Sequence, residues 1–214
     1  MGRDPDRVRR SYDRVASRYA HEFVHELDHK PLDRALLSVV ADDVRGRGRR
    51  PIGDLGAGPG HVGSFLAGLG AGVMALDLSP AMAALARHQL GVAAVAGSLT
   101  SLPLGRGVLG GAVAFYCLIH LDDEGLEAAA RELARVIEVG GPLLVAFHAG
   151  QEVRHLDEWW GEDVDVDFRF LEPGQVGDRL ERAGFAVEAV LERAPHAEEG
   201  ATRRTYMLTR RTSD

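Results

Sequence analysis

The chain has little cysteine, no excess of positive charge and no long apolar run. Cys117 is the only cysteine among 214 residues, so no disulfide can form within the chain. The net charge of -7 argues against a general affinity for nucleic acid, which needs a basic surface. No apolar stretch reaches the ~20 residues that cross a membrane, and the charged first residues do not resemble a secretory signal. We therefore expect a cytoplasmic globular protein, monomeric or homodimeric, that binds neither nucleic acid nor membranes.

Apolar segments alternate with helix-like segments over most of the chain. Predicted strands cover residues 51–56, 72–77, 92–96, 111–118 and 143–148, followed by 185–193 and 202–210. Strands that alternate with helices at this spacing indicate βαβ units and a parallel sheet covered on both faces. The last two strands are expected to form an antiparallel pair. The prediction is one α/β domain, residues 1–214, with a doubly wound, seven-stranded, mostly parallel sheet and a C-terminal antiparallel hairpin.

Two amphipathic helices are predicted before the first strand. Residues 5–28 carry apolar and aromatic side chains at spacings of three and four, which places them on one helix face. A second helix is expected to begin near Pro31, a residue suited to a first helical turn. Its expected buried face consists of Leu32, Ala35, Leu36, Val39 and Val40.

The most informative stretch, residues 51–63, joins the first strand to a glycine-rich turn. Gly56, Gly58 and Gly60 alternate in this turn, and a helix-like pattern follows. Glycine is needed where the backbone turns sharply or approaches a ligand, and a helix that begins after the turn directs free N–H groups to the same point. Asp77, at the end of the second strand, occupies the position that binds ribose hydroxyls. The stretch predicts a nucleotide-type binding site.

Two cofactor classes fit this turn. Residues 58–63 satisfy the G-x-G-x-x-G pattern of dinucleotide sites. Asp54 precedes the first glycine by two residues, and a carboxylate there would lie where a pyrophosphate must pass. It suits a ligand with an ammonium or sulfonium group better. A tight turn without a ligand is a third interpretation, disfavoured because glycines weaken local structure.

Four stretches carry a family resemblance: residues 11–19 (SYDRVASRY), 54–60 (DLGAGPG), 75–82 (ALDLSPAM) and 95–104 (VAGSLTSLPL). In this order they resemble the class I S-adenosylmethionine-dependent methyltransferases, in the small-molecule branch with a ubiquinone-biosynthesis-like layout. The resemblance implies S-adenosylmethionine as cofactor, S-adenosylhomocysteine as product, and methyl transfer to a nitrogen, oxygen or carbon atom of a small-molecule acceptor. It also implies that residues 1–46 form a helical lid.

The same resemblance implies a set of cofactor contacts. They are Tyr19, Asp54, Gly56, Gly58, Gly60, Asp77, Leu78, Met82, Ser98, Leu99 and Tyr116. Asp54 would anchor the turn or the amino group of the cofactor, and Leu78 and Met82 would pack against its adenine. Ser98 stands where the family usually has an acid that contacts the adenine amino group. Gly110 and Gly111 stand where the fourth strand often begins with an acid, a second departure from the family pattern.

Methyl transfer from a sulfonium requires mainly alignment of donor and acceptor, because the leaving group is already activated. His120 follows the fourth strand, at the edge where such sheets open their site, and is the candidate base. Its alternative role is to cap the turn at residues 122–123. Tyr12 and Tyr19 lie two helical turns apart. They either pack in the core or close over the methyl group, which makes Tyr12 a candidate for catalysis and for acceptor contact.

Residues 149–171 interrupt the alternation and are expected to form an acceptor-side insertion. His148, Trp159 and Trp160 are the candidate acceptor contacts, and the acidic side chains of the insertion would attract a cationic or amine acceptor. The alternatives are a buried core role for His148 and a solvated face or a dimer contact for the insertion.

Residues 21–29 contain two overlapping H-E-x-x-H patterns. On one continuous helix His21, His25 and His29 would share a face suited to metal. The metzincin continuation fails because Asp28 occupies its glycine position, so we expect no metal cofactor. Two further functions stay open: a protein that binds S-adenosylmethionine without methylating, which the missing acid at Ser98 favours, and an NAD-dependent oxidoreductase, which Asp54 disfavours.

Overall fold

The computed structural model describes residues 5–48, 50–91, 93–196 and 199–212. The helices are α1 (Pro5–Phe23), α2 (Pro31–Arg47), α3 (His61–Gly68), α4 (Pro80–Leu90), α5 (Asp123–Val136) and α6 (Pro173–Arg182). The strands are β1 (Ile52–Leu55), β2 (Val73–Asp77), β3 (Ala94–Ala96), β4 (Gly111–Phe115), β5 (Pro142–His148), β6 (Val153–Trp159), β7 (Glu162–Arg169), β8 (Phe185–Arg193) and β9 (Arg204–Arg211). Short 3₁₀ turns lie at Glu26–His29 and Leu118–His120. No helix in these ranges is long and apolar enough to cross a bilayer.

A seven-stranded sheet in the order β3-β2-β1-β4-β5-β9-β8 forms the centre of the fold. The strands from β1 to β5 pair in parallel, whereas β9 runs antiparallel to both of its neighbours. This confirms the predicted mostly parallel sheet with its C-terminal antiparallel pair. The strand order reverses between β1 and β4, and open sheets of this kind bind their ligands at that switch point.

Helices cover both faces of the sheet, and the central strands β1, β4 and β5 are therefore buried except at the last residues of β4 and β5. Leu133 of α5 and Phe147 of β5 belong to one apolar core, and Leu37 and Val40 of α2 belong to the core on the opposite face. The predicted inward face of α2 is displaced, because Val39 is 49% exposed while Leu37, Ala41 and Val44 are buried. Both sets of positions follow helical spacing, so periodicity alone did not separate them.

The first helix ends earlier than predicted. α1 stops at Phe23 rather than continuing to residue 28, and Glu26 lies in a separate 3₁₀ turn. There Glu26 accepts a hydrogen bond from Lys30 Nζ at 2.6 Å and pairs with His61 Nε2 at 2.7 Å. These bonds draw the chain inward, so the three histidines of residues 21–29 do not share one helix face. Within the described ranges, no group of three or more His, Cys, Asp or Glu residues is placed to hold a metal ion.

Residues 149–171 contain a second, two-stranded sheet, formed by β6 and β7, that the sequence analysis did not predict. Trp160 and Gly161 form its two-residue loop with φ of 57° and 83°, as a type I′ turn requires. Val164 and Val166 are buried and pack against Val15 of α1. The hairpin thus supplies an apolar face for α1 outside the main sheet.

α1 lies between this hairpin and α4. On one side, the hydroxyl of Ser11 accepts a hydrogen bond from the backbone N–H of Asp165 at 2.8 Å. On the other, the carboxylate of Asp13 accepts hydrogen bonds from the hydroxyl of Ser79 and the N–H of Ala81, at the first turn of α4. A carboxylate at that position is favoured by the positive end of the helix dipole. These contacts hold α1 across the edge of the sheet where the strands end.

Candidate active site

A cavity of about 480 Å³ opens at the carboxyl ends of β1, β2 and β4, beneath α1. Its walls come from α1, the glycine-rich turn, the end of β2, the loop after β3, the segment from β4 to α5, and β7. The sequence-predicted residues that line it are Tyr12, Tyr19, Gly56, Gly58, Asp77, Leu78, Ser98, Leu99, Tyr116 and His120. The topology therefore gathers residues from distant parts of the chain around one space at the strand-order switch.

The glycines of the turn are required for different reasons. Gly56 has φ of 78°, and a Cβ there would overlap with the side chain of Cys117. Gly58 has φ of 53°, and the atom nearest to a Cβ added at this position would be Cε1 of Tyr19 at 3.8 Å, across the cavity. Gly60 has left-handed backbone and is the N-cap of α3, away from the cavity wall. Gly58 therefore leaves room for a ligand to approach the backbone closely.

Asp54 lies under the turn instead of facing the cavity. The residue is 2% exposed, and its carboxylate accepts a hydrogen bond from the N–H of Gly63 at 2.8 Å. Burial raises the pKa of Asp54 to about 6, although nearby His61 and the Gly63 N–H oppose the shift. The carboxylate occupies the N-terminus of α3, where a dinucleotide would place its pyrophosphate. The position predicted for Asp54 as a turn anchor matches this geometry, whereas a direct contact with a ligand in the cavity does not.

Asp77 presents its carboxylate to the cavity from the end of β2. Its oxygens accept hydrogen bonds from the N–H groups of Gly58 and Ser79, both at 2.8 Å. Burial raises the pKa of Asp77 to about 6, and these two N–H groups oppose the rise. An ionised carboxylate has about four lone-pair sites, so lone pairs remain for two hydroxyl groups of a ligand.

Tyr12 and His120 meet over the cavity. The hydroxyl of Tyr12 lies 2.8 Å from Nε2 of His120, and Nδ1 of His120 lies 2.9 Å from the backbone oxygen of Asp167. A carbonyl oxygen can only accept, so Nδ1 carries the proton and Nε2 accepts from Tyr12. Burial lowers the pKa of His120 to about 4. The imidazole is therefore neutral at pH 7, with its basic lone pair directed at the tyrosine.

Residues 52–141 match the model of a family described as methyltransferase domain. No curated protein matches the chain. Among solved structures, a SAM-dependent methyltransferase from Methanosarcina mazei superposes with a TM-score of 0.67 at 14% identity, over 77% of this chain and 93% of the other. Residues 52–141 belong to the methyltransferase domain family. The match and the sheet order confirm the predicted class I S-adenosylmethionine-dependent methyltransferase, whereas the ubiquinone-biosynthesis-like branch stays a prediction.

Two other similar structures differ in what they catalyse. A 1,6-didemethyltoxoflavin-N1-methyltransferase from Burkholderia thailandensis, crystallised with its acceptor and S-adenosylhomocysteine, has a TM-score of 0.62 at 19% identity and covers 96% of this chain and 91% of its own. The [4+2]-cyclase SpnF has a TM-score of 0.63 at 18% identity, over 85% of this chain and 81% of its own. At these identities the likeness shows the shared fold alone.

The end of the methyltransferase cavity nearest β3 is mostly apolar. Leu78, Ser98 and Leu99 form it, and the hydroxyl of Ser98 bonds with that of Thr100 at 2.8 Å. Met82, predicted to lie against the adenine, is fully buried beneath α4 and is absent from the wall. Its backbone N–H bonds to the Ser79 hydroxyl within the first turn of α4, and its side chain is one of the fully buried ones of the fold.

The tryptophans of the methyltransferase do not line the cavity. The ring of Trp159 packs edge-on against Tyr12 and Tyr19, each at 5.7 Å between centroids, from the side away from the cavity. Trp160 is 39% exposed and stacks on Trp159. They support the tyrosines of α1 and leave the wall itself to Tyr12, Tyr19 and residues of β7.

Tyr116 and His148 are neighbours with different exposure to the cavity. Tyr116 lines it in a left-handed conformation (φ 53°), and its hydroxyl lies 3.4 Å from that of Tyr206. His148, a predicted acceptor contact, is absent from the wall. It packs against the Tyr116 ring at 5.1 Å, bonds to the hydroxyl of Thr202 at 2.9 Å, and has its pKa lowered to about 4 by burial.

Two charged wall residues, Arg7 on α1 and Arg169 on β7, were missed from the sequence. Asp167 on β7, one of the acidic side chains of the insertion that were expected to attract a cationic acceptor, also lines the cavity. The alternation of residues 162–169 was an available signal, because positions 167 and 169 fall on one face of a strand. Assigning that face to the cavity required the position of the hairpin against α1, which the sequence pattern did not supply.

Proposed function

We propose that this methyltransferase transfers the methyl group of S-adenosylmethionine to an N–H or O–H group of a small molecule that enters between α1 and β7. The observation that carries this proposal is the Tyr12–His120 hydrogen bond facing the cavity. The small-molecule N-methyltransferase among the similar structures is consistent with it.

The wall residues fit the proposed cofactor in shape and chemistry. Gly58 leaves space for the ligand beside the backbone, and Asp77 keeps acceptor sites for ribose hydroxyls. Leu78 and Leu99 supply apolar contacts for an adenine at the opposite end. Tyr19 and Tyr116 would flank the methionine part. S-adenosylmethionine supplies a methyl group on a positively charged sulfur, so the protein has to align the acceptor with it and exclude competing water.

The proton of the acceptor needs a destination, and Tyr12 with His120 provides one. The acceptor N–H or O–H donates to the Tyr12 oxygen while the Tyr12 hydroxyl donates to His120 Nε2. As the acceptor atom would bond to the methyl carbon and the carbon–sulfur bond would break with its electron pair left on sulfur, the acceptor proton would move to Tyr12 and the tyrosine proton to Nε2. Nδ1 keeps its proton and its hydrogen bond to Asp167.

The low pKa of His120 is compatible with this transfer. A buried imidazolium is unfavourable when the cavity carries an additional positive charge. The imidazole of His120 would gain its positive charge in the same step in which that of the bound sulfonium would be lost, so the net charge within the cavity would be conserved. Proton transfer is thereby favoured during methyl transfer and disfavoured before it.

The test is to measure S-adenosylhomocysteine binding by calorimetry and the formation of S-adenosylhomocysteine from labelled cofactor with a library of small N–H and O–H acceptors. We expect binding, and product formation that His120→Asn reduces without weakening that binding. Asn retains a donor for Asp167 but cannot take up the proton. Absence of binding would contradict the proposed function itself.

A second candidate is a protein that binds S-adenosylmethionine without methylating. The similarity in fold to the [4+2]-cyclase SpnF supports this candidate, because a protein of this fold is there named for a reaction other than methyl transfer. It predicts tight binding of S-adenosylhomocysteine together with no acceptor-dependent turnover of the labelled cofactor.

A further inference from the structure

Arg169 places a positive charge in the wall of the cavity. It is the last residue of β7, is partly buried, and lines the cavity. Within the described part of the chain its side chain forms no hydrogen bond and no ion pair. Arg7, which also lines the cavity, is by contrast paired through Nη2 with Asp165 at 2.7 Å and with Asp167 at 3.2 Å.

The acidic side chains of the wall are mostly engaged elsewhere. Asp77 accepts from two backbone N–H groups, and Asp122 accepts from the N–H of Gly125 as the N-cap of α5. Asp167 pairs with Arg7 and lies 3.0 Å from Nδ1 of His155. Glu124 lines the cavity but is exposed to solvent, which screens its charge. Each partly or fully buried carboxylate of the wall thus already accepts hydrogen bonds or pairs with a cation, whereas the partly buried guanidinium of Arg169 has no such partner among the described residues.

Arg169 lies on the side of the cavity where the acceptor is proposed to enter. It is two residues beyond Asp167, so the strand pleat places both side chains on the same face. The backbone oxygen of Asp167 accepts a hydrogen bond from His120 Nδ1. Arg169 therefore lies two residues along β7 from the residue that contacts the Tyr12–His120 pair. Arg7 adds a second guanidinium on this side, and its buried Nε has no hydrogen-bond partner among the described residues.

We propose that the methyl acceptor carries a carboxylate or a similar anionic group and that Arg169 binds it. This inference rests on the proposed function and names the acceptor class. A guanidinium matches a carboxylate with two parallel hydrogen bonds, and such charge-assisted bonds are stronger than neutral ones. The cationic acceptor expected from the acidic insertion is disfavoured, because of its acidic residues only Asp167 reaches the wall, already paired with Arg7.

The test compares benzoate with benzamide and benzylamine on the protein saturated with S-adenosylhomocysteine. Benzoate and benzamide share one shape and differ in charge. We expect benzoate to bind at least about tenfold more tightly than benzamide, the magnitude of a charge-assisted hydrogen bond. Arg169→Gln is expected to abolish this preference, and Arg169→Lys to retain part of it. Arg154→Gln, on the neighbouring strand but outside the wall, is the matched control.

Equal binding of benzoate and benzamide to the native protein, including no binding of either, would overturn the proposal. So would an unchanged preference in Arg169→Gln, or tighter binding of benzylamine that is lost in Glu124→Gln. Calorimetry with S-adenosylhomocysteine on the same proteins separates failure of the proposed function from failure of the anionic acceptor. Normal cofactor binding without a preference for benzoate rejects only the anionic acceptor.

Discussion

The hydroxyl of Tyr12 and Nε2 of His120 lie 2.8 Å apart although 108 positions separate them in the chain. Tyr12 belongs to α1, and His120 follows β4 at the sheet edge. The pair exists only when α1 is seated over the sheet. In the proposed mechanism, docking of α1 and assembly of the Tyr12–His120 pair are therefore one event, and an acceptor bound before α1 docks would lack a base.

Tyr12→Phe should separate turnover from cofactor binding. Without its hydroxyl, residue 12 cannot pass a proton to His120. We therefore expect kcat to fall about 10²-fold, a usual magnitude for a lost general base. Affinity for S-adenosylhomocysteine should stay within about threefold, because the ring and its packing are kept. Steady-state kinetics and calorimetry provide the measurements.

Tyr206→Phe is the matched control for this substitution. Tyr206 also loses a buried hydroxyl, which donates to Asp33 at 2.8 Å, but it lies outside the cavity wall. Thermal stability should fall in this variant with kcat retained. Equal loss of kcat in both variants would reduce Tyr12 to a structural role.

The glycine-rich turn should respond differently at its first two glycines. In Gly56→Ala the new methyl group overlaps with Cys117, so we expect a folding defect beyond the ~1–3 kcal/mol cost of left-handed backbone. In Gly58→Ala the methyl group contacts no described atom closer than 3.8 Å, so the protein should fold with a loss limited to the cost of left-handed backbone, about 1–2 kcal/mol. The Gly58→Ala variant should lose its affinity for S-adenosylhomocysteine, because the new methyl group occupies space that the ligand needs. Thermal unfolding and calorimetry distinguish the pair; normal cofactor affinity in Gly58→Ala would contradict the assignment.

Cofactor binding and catalysis should depend on pH in different ranges. The raised pKa of Asp77, about 6, means that lowering pH through this value protonates the carboxylate and removes acceptors for ribose hydroxyls. Affinity for S-adenosylhomocysteine should therefore fall below about pH 6, by up to about tenfold per pH unit. The lowered pKa of His120, about 4, leaves its lone pair free across that range, so kcat at saturating cofactor should hold to about pH 5.

Asp77→Asn checks this interpretation, because an amide does not titrate. Binding should be weak in the variant at every pH, with no change near pH 6. Retention of the pH dependence in Asp77→Asn would point to Asp54, whose pKa is also raised to about 6 by burial.

The seating of α1 should depend on Asp13. Alanine there removes the acceptor for Ser79 and Ala81 at the first turn of α4, with an expected cost of about 0.5–2 kcal/mol as for other helix caps. In the presence of S-adenosylhomocysteine, trypsin should cleave α1 of the variant several times faster than that of the native protein. Asp42→Ala, which removes an exposed acid that pairs with Arg45, is the control. Equal cleavage rates in both variants would show that Asp13 does not hold the lid.

The sheet and the cofactor turn could be predicted because their signals are local. Ser79 illustrates this, since a serine before a proline at a helix start implies the observed cap, in which the Ser79 hydroxyl accepts from the N–H of Met82 at 3.1 Å. The same holds for the parallel pairing of the strands from β1 to β5, because strands that alternate with helices along the chain pair in parallel. The family resemblance added the identity of the cofactor class.

The acceptor side could not be predicted because its geometry depends on distant contacts. Trp159 was expected on the cavity wall, yet its position behind Tyr12 and Tyr19 follows from the packing of β7 against α1. The bonds of Glu26 to Lys30 and His61 likewise end α1 early, where helical periodicity continued. A local sequence pattern predicts which residues share one face of a helix or strand, but it does not predict which other element packs against that face.

The hydrogen bond between Ser11 and Asp165 spans 154 positions of the chain. During synthesis, α1 emerges before β1 and β2, and β7 emerges after both of these strands. Contacts this far apart close large loops and form late, because the loop entropy is paid before the contact is made. The nascent chain should therefore form the glycine-rich turn between β1 and α3 well before it closes the α1–β7 side of the cavity, where the acceptor is proposed to bind.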